Sequence, residues 1–309
     1  MINIYLKDSM ATIQSKLNKG GSVQFQTGTY RITKQLSIPA GTRIDLNGAI
    51  LQRCANIQSI FINKTSANTT GYSGAGNILI ENGTLEAMGR YNPDNLLTLF
   101  HSHDVSIIAI TFLDNLCHAI EVNSSNGIRI EGCHFLGYNS PEPYKEMIQI
   151  DAAFPVGFRR SGTTIKSKCY DGTMCQDICI ICCEFDKSKN RGYPTACIGT
   201  HNQLQDGKQH SNISIAENQF TCNGEQSCLS LIGMKNVGIY RNTFKNGGKA
   251  ARIYSKEYSY SNSGERVKSK ENDGKCTSVH FLDNKGNGYI YKYTEPKKKY
   301  KIKGELVLC

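Results

Sequence analysis

A short motif recurs along the 309 residues of this chain, and its period limits the possible folds sharply. It reads Asn or Asp, Val or Ile, any residue, Ile, four unrestricted positions, then Phe or Leu, so the first aliphatic stands seven positions before the last apolar residue. Copies run from Ile44 to Leu51, Ile78 to Leu85, Val105 to Phe112, Ile128 to Phe135, Ile178 to Phe185, Ile213 to Phe220 and Val237 to Phe244, and a weaker one starts at Val279. In Asn126–Phe135 the aliphatics Ile128 and Ile130 alternate with Arg129 and Glu131, the period of two that marks a strand with one buried face. Copies begin 23 to 50 residues apart, one solenoid coil when short and one coil with an inserted loop when long. No helical segment fits between them, which excludes leucine-rich, ankyrin and tetratricopeptide arrays and leaves a parallel β-helix.

Composition agrees with many strands joined by turns: 29 glycines and a hydrophobic fraction of 39%. No run approaches the roughly 18 apolar residues of a membrane span, and the start MINIYLKDSM lacks the basic and apolar regions of a secretion signal. A chain made in the cytoplasm without membrane insertion is therefore expected. The odd total of 13 cysteines argues for free core thiols instead of a disulfide framework. A net charge of +10 draws polyanions such as acidic glycans, teichoic acids or nucleic acid. The tail lysines Lys297, Lys298, Lys299, Lys301 and Lys303 read as a solvated terminal strand. No base-stacking aromatics interleave them, so nucleic acid is not an expected partner.

Ile13-Gln14, then Gly20-Gly21-Ser22-Val23-Gln24-Phe25, Gly28-Thr29-Tyr30-Arg31-Ile32, Leu36-Ser37-Ile38-Pro39 and Leu46-Asn47-Gly48-Ala49, resemble the opening of the pectate-lyase-like superfamily. The resemblance implies an all-β, single-stranded, right-handed parallel β-helix. A short amphipathic helix, Met10 to Leu17, would cover the open N-terminal end, where bare strand edges otherwise invite pairing. Residues 1–309 would then form one β-helix domain: a cap over 1–20, the main coils over 21–255, and the last coils with C-terminal cap strands over 256–309.

After each copy comes a second strand: 119–123, 147–151, 197–201, 228–232 and 251–254. Aligned by their inward aliphatics, these strands send two columns outward, Glu121, Gln149, Gly199, Ser230 and Asn123, Asp151, His201, Ile232. Arg252 and Tyr254 also point outward. Insertions over 152–175, 202–210 and 256–275 leave from the same corner, so they are expected to wall the face that bears Asp151 and His201. They carry Phe154, Phe158, Arg159, Arg160, Lys166, Lys168, Lys208 and His210, a lining suited to carbohydrate and to acidic groups.

Glycoside hydrolysis needs a protonated acid and a second carboxylate as base or nucleophile. Asp151 is the first candidate, with Glu121 or Glu146 as its partner; Glu121 would stand one rung away and two residues along the strand, about 8 Å between backbones, which leaves room for a water. His201 would orient Asp151 or tune it. Gln149, Arg159, Arg160, Lys208, His210, Arg252 and Tyr254 are the expected substrate contacts. The order Gln149-Ile150-Asp151, Ile198-Gly199-Thr200-His201, Arg252-Ile253-Tyr254 is similar to glycoside hydrolase family 28, the polygalacturonases. It departs by lacking an Asp-Asp pair, by placing its histidine at the strand end, and by carrying Tyr254 where that family has lysine, so pectin is not implied.

Cys175, Cys179, Cys182 and Cys183 lie on an extended segment that sends their sulfurs to opposite faces, so no metal is expected there, and no cofactor. Too few carboxylates cluster for a calcium-dependent lyase. The expected function is hydrolysis of an extended polysaccharide in a side groove. The alternatives are a metal-free lyase with Arg159, Arg160, Lys208, His201 or Arg252 as base and charge neutraliser, a sugar epimerase, and a non-catalytic receptor-binding protein for a cell-surface glycan. A glycan-binding solenoid without a secretion signal resembles phage tail depolymerases, which would place it in a phage tail assembly or a homotrimer, reaching its target on the virion or by lysis.

Overall fold

From the copy at Ile78 onward, each copy of the motif has one left-handed residue just before it and a second inside it, and these corners account for its residue types. Immediately before the first aliphatic stand Asn77 (φ 52°), Asp104 (50°), Gly127 (67°), Asp177 (55°), Asn212 (58°), Asn236 (53°) and Ser278 (54°). Asn, Asp and Gly enter this region most readily, which is why the motif opens on them. Four residues after that aliphatic comes a second left-handed column: Asn82, Ala109, Gly132, Cys182, Glu217, Arg241 and Asp283. The chain therefore turns twice at fixed points in each of these seven coils.

A computed structural model describes residues 1–88, 95–138, 145–155, 167–200, 202–223, 226–245, 248–294 and 297–308. The first two faces of each coil join into an eighteen-stranded sheet, and the third face is a separate ten-stranded sheet. Successive motif copies pair in parallel and in phase: Val105 lies beside Ile78 and Ile128, and Phe112 beside Leu85 and Phe135. Parallel strands joined by crossovers of one hand make a single-stranded right-handed parallel β-helix, the fold that the repeat predicts.

Stacked identical positions fill the interior. Phe112, Phe135, Phe185, Phe220 and Phe244 stack ring on ring with centroids 4.6 to 5.0 Å apart, close to one rung spacing. At the second corner, Asn218, Asn242 and Asn284 form a buried ladder. Asn242 donates to Ile215 O at 2.8 Å and its Oδ1 accepts from Asn218 N at 2.9 Å, so each amide closes backbone groups that the corner leaves open. Cys183 and Cys133 occupy the same position in earlier coils, and Cys183 N donates to Asn218 Oδ1 at 2.8 Å. The core built on these stacks runs from Ile4 to Leu308.

Helix Met10–Leu17 lies over the N-terminal end as expected; Ser9 Oγ caps it by accepting from Thr12 N at 3.2 Å, and Ile13 and Leu17 are buried. At the other end Lys298–Lys301 and Leu306–Leu308 pair antiparallel and stop the parallel ladder. One expectation is corrected here. Cys222 and Cys228 form a disulfide, with Cα atoms 6.1 Å apart, because the last corner of the coil brings a second-face residue back onto a third-face strand. Cys197 lies beside Cys228 in the next coil, its N–H donating to Cys228 O at 2.9 Å.

Candidate functional site

The third face is built from strands Leu36–Ile38, Phe61–Asn63, Leu97–Phe100, Ile120–Asn123, Glu146–Asp151, Ala196–Gly199, Leu229–Leu231, Lys249–Ile253 and Tyr289–Lys292. Its register aligns Thr98, Glu121, Gln149, Gly199, Ser230 and Arg252 in one outward column. Phe100, Asn123 and Asp151 align in the next.

Asp151 accepts three side-chain hydrogen bonds: from Thr200 Oγ1 at 2.7 Å, from Asn202 Nδ2 at 2.5 Å and from Gln149 Nε2. Two carboxylate oxygens offer about four lone-pair sites, so these donors leave about one. Glu121 accepts from Asn95 Nδ2. Burial pushes its carboxyl up to about 7, with Cys117 and Asp151 adding to the rise and His118 opposing it. Glu121 keeps 5% of its surface, whereas Glu146 and Asp151 keep none. His118 is buried and its Nδ1 meets Glu146 O at 2.6 Å, which fixes the start of the Glu146–Asp151 strand.

Beyond the carboxylates, Arg252 donates through Nε to Ser230 Oγ at 2.9 Å and lies 4.4 Å over the Tyr254 ring. Burial raises the Tyr254 hydroxyl above its ordinary range; Arg252 opposes the rise, and Glu146 and Asp151 reinforce it, so all four groups share one electrostatic neighbourhood. Gln149, Glu121, Glu146, Asp151, Arg252 and Tyr254 are thus brought to one face.

Other expected site residues go elsewhere. His210 is buried, and its Nδ1 accepts from Cys175 N at 3.0 Å; burial lowers it to about 4, so it is a neutral ring closing a corner and not a groove contact. Lys208 Nζ bonds Gly172 O at 3.4 Å and Asn262 Oδ1 at 3.0 Å, tying three insertions together. Arg159, Arg160 and His201 lie outside the described residues.

The insertions do stack along one edge. Gln203 donates to Ser259 Oγ at 2.9 Å and Ser269 Oγ at 2.8 Å, and Asp273 accepts from Gly207 N at 3.0 Å and Ser259 Oγ at 2.8 Å. A fourth segment, 64–77, joins them through Tyr72 Oη to Met174 O at 2.7 Å and through His101, whose ring meets Gly71 O and Cys169 O at 2.5 and 2.7 Å. A cleft of about 540 Å³ opens between Asp206–Gln209 and Lys270–Thr277, and Glu121, Glu146 and Asp151 are not among the residues that line it. Among the described residues, Cys197, Cys222 and Cys228 are a set of metal-type donors whose sulfurs lie within 4.8 Å of one another, but the disulfide commits two of them.

The sequence singled out neither Asn95, Thr200 nor Asn202. Thr200 and Asn202 flank His201 at the strand end, and Asn95 stands two residues before the Leu97–Phe100 strand; only the register shows that they meet Asp151 and Glu121.

No protein-family model matches the chain. It is 26% identical over 280 residues to plasmin and fibronectin-binding protein A of Streptococcus pneumoniae, an alignment that takes in 79% of this chain and 38% of that protein. The structure is similar to the crystal structure of PfbA, a surface adhesin of Streptococcus pneumoniae, with a TM-score of 0.67 and 22% identity, covering 91% of this chain and 64% of that one. A second structure of that adhesin gives a TM-score of 0.66 at 21% identity, over 92% and 73% of the two chains. These likenesses establish the shared fold.

Proposed function

We propose that the third face holds an extended polysaccharide across several coils and hydrolyses it, with Glu121 as general acid and Asp151 as the carboxylate that draws a proton from water. The observation that carries this reading is the offset of Glu121 and Asp151 by one rung and two residues on the same face, about 8 Å between backbones, close enough for both side chains to reach one bound sugar. A carboxyl held protonated near neutrality by burial is the kind of group that gives a proton to a leaving oxygen. Asn95 fixes Glu121, and Gln149, Thr200 and Asn202 fix Asp151 while leaving about one lone pair for water. No step requires a metal or an organic cofactor.

A second reading is favoured by the complete burial of Asp151 and Glu146 and by the relative that is a surface adhesin. In it the same face binds a cell-surface glycan without cutting it, and the carboxylates shape the strand ends. Incubation with a panel of bacterial capsular, wall and plant glycans separates the two: new reducing ends support hydrolysis, and retention of an intact glycan supports adhesion. Products with ultraviolet absorbance would mark a lyase.

A further inference from the structure

The third face continues past Arg252. In register with it on Tyr289–Lys292 stands Tyr291, and beside Tyr291 on the antiparallel strand Lys298–Lys301 stands Lys299. Ile290 and its partner Tyr300 pack on the core, so alternation leaves Tyr289, Tyr291, Tyr293, Lys299 and Lys301 on the outer surface. Tyr291 stacks on Tyr293 with centroids 6.0 Å apart and meets Tyr289 edge-on at 6.4 Å. Lys299 Nζ lies 3.8 Å from the Tyr289 centroid and 5.3 Å from that of Tyr291. At the same end, Arg266 of the 258–268 hairpin lies 3.9 Å over Tyr258, and Arg252 lies over Tyr254. Among the described residues, none of Arg252, Arg266 and Lys299 forms an ion pair with a carboxylate.

We infer that this cluster of tyrosines and cations is a docking subsite for an acidic polysaccharide, where uronate or sulfate groups meet Lys299, Arg252 and Arg266 and sugar hydroxyls meet the tyrosine hydroxyls. The inference rests on the third face being a glycan groove, and it names the class of glycan. Cations held over ring faces stay charged and pre-placed without an acidic partner, so an anionic ligand does not have to displace one. Of the tail lysines, expected from the sequence to be interleaved with no base-stacking aromatics, Lys299 and Lys301 stand opposite Tyr291 and Tyr289 of the preceding strand. Single-stranded nucleic acid would need open ring faces for its bases. Here a cation covers one face of each of Tyr254, Tyr258, Tyr289 and Tyr291, and Tyr291 and Tyr293 stack on each other, which leaves fewer open faces for bases; Tyr293, with 44% of its surface exposed, can still offer a ring to one sugar.

Affinity electrophoresis of the Glu121→Gln protein through gels containing polygalacturonate, alginate or heparin, with dextran as neutral control and oligodeoxythymidylate as competitor, tests this. The expected result is retardation by at least one acidic glycan, none by dextran, and at least a ten-fold weaker apparent affinity in Lys299→Glu and in Tyr293→Ala. Both changes are at the surface, and an unchanged melting temperature verifies that the coils are intact. Retardation by none of the acidic glycans, equal retardation by dextran, insensitivity to both variants, or tighter binding of the oligonucleotide would each overturn the subsite. Failure of hydrolysis reads differently: the Glu121→Gln protein would still be retarded while the wild-type protein releases no reducing ends.

Discussion

Gln149 holds Asp151 at the centre of the third face: its side-chain amide donates to the Asp151 carboxylate, and in the strand register it lies directly opposite Glu121. The two carboxylates are coupled through space, Asp151 adding to the rise of the Glu121 carboxyl, so changes at either end should be felt at the other. Replacing Glu121 by Gln keeps the shape and removes the proton donor. Turnover of a cleavable glycan should fall by about 10²- to 10⁴-fold with little change in KM. In wild-type protein kcat should decline as pH rises through about 7, as the Glu121 acid is lost. A kcat that rises across that range would remove Glu121 from the acid role.

The same shift predicts a stability signature. The folded-state value of about 7 lies above the ordinary 4.5, so the fold favours the protonated form. That contribution is fully present below about pH 4.5 and is lost as pH rises through about 7, a change of about 3 kcal/mol. His210 runs the other way: its neutral ring is favoured, and its contribution is present above 6.5 and lost as pH falls toward 4. The difference between wild type and Glu121→Gln in urea melts at a series of pH values isolates the glutamate, and it should grow in favour of the variant between pH 4.5 and 7.

Ala109 sits exposed at a left-handed corner, with φ 52°, where most coils carry Asn, Asp, Gly or a longer polar residue. Ala109→Gly should stabilise the protein by about 1 kcal/mol, because the Cβ penalty at positive φ outweighs the added freedom of the unfolded chain. Thermal melting measures it. A loss of stability would mean that the corner is not strained.

Asn242 stands mid-ladder, and Asn242→Ala strands buried partners on Asn218, Ile215 and Asn284 together. A loss of about 3 kcal/mol is expected, with Phe185→Ala costing about 4 kcal/mol through a cavity in the ring stack. Chemical denaturation provides the values.

Much of this architecture is legible in the residues. The motif period gives the strands, and alignment by Ile120, Ile148, Ile198 and Leu229 gives the outward column of Glu121, Gln149, Gly199 and Ser230 that the register contains. The asparagine ladder also has a signal, since Asn218, Asn242 and Asn284 each follow the first aliphatic of their copy by five positions. It reads as polar, and only the inward turn of the second corner shows it to be core. His210 looked like a loop cation because its position ends an insertion; burial at a strand start makes it structural. The Cys222–Cys228 bond and the contact of Asn95 with Glu121 join residues across a corner, where neither alternation nor spacing carries information.

The central claim, that the face bearing Glu121 and Asp151 cleaves a glycan, is tested most directly by a reducing-end assay on wild type, Glu121→Gln and Asp151→Asn with the acidic glycan that the protein retains. The account predicts saturated products with new reducing ends from wild type and at least a 10²-fold lower rate from each variant, with the folded state of each verified by circular dichroism. Glycan that remains full length with wild type while still being retained would contradict it and leave an adhesin.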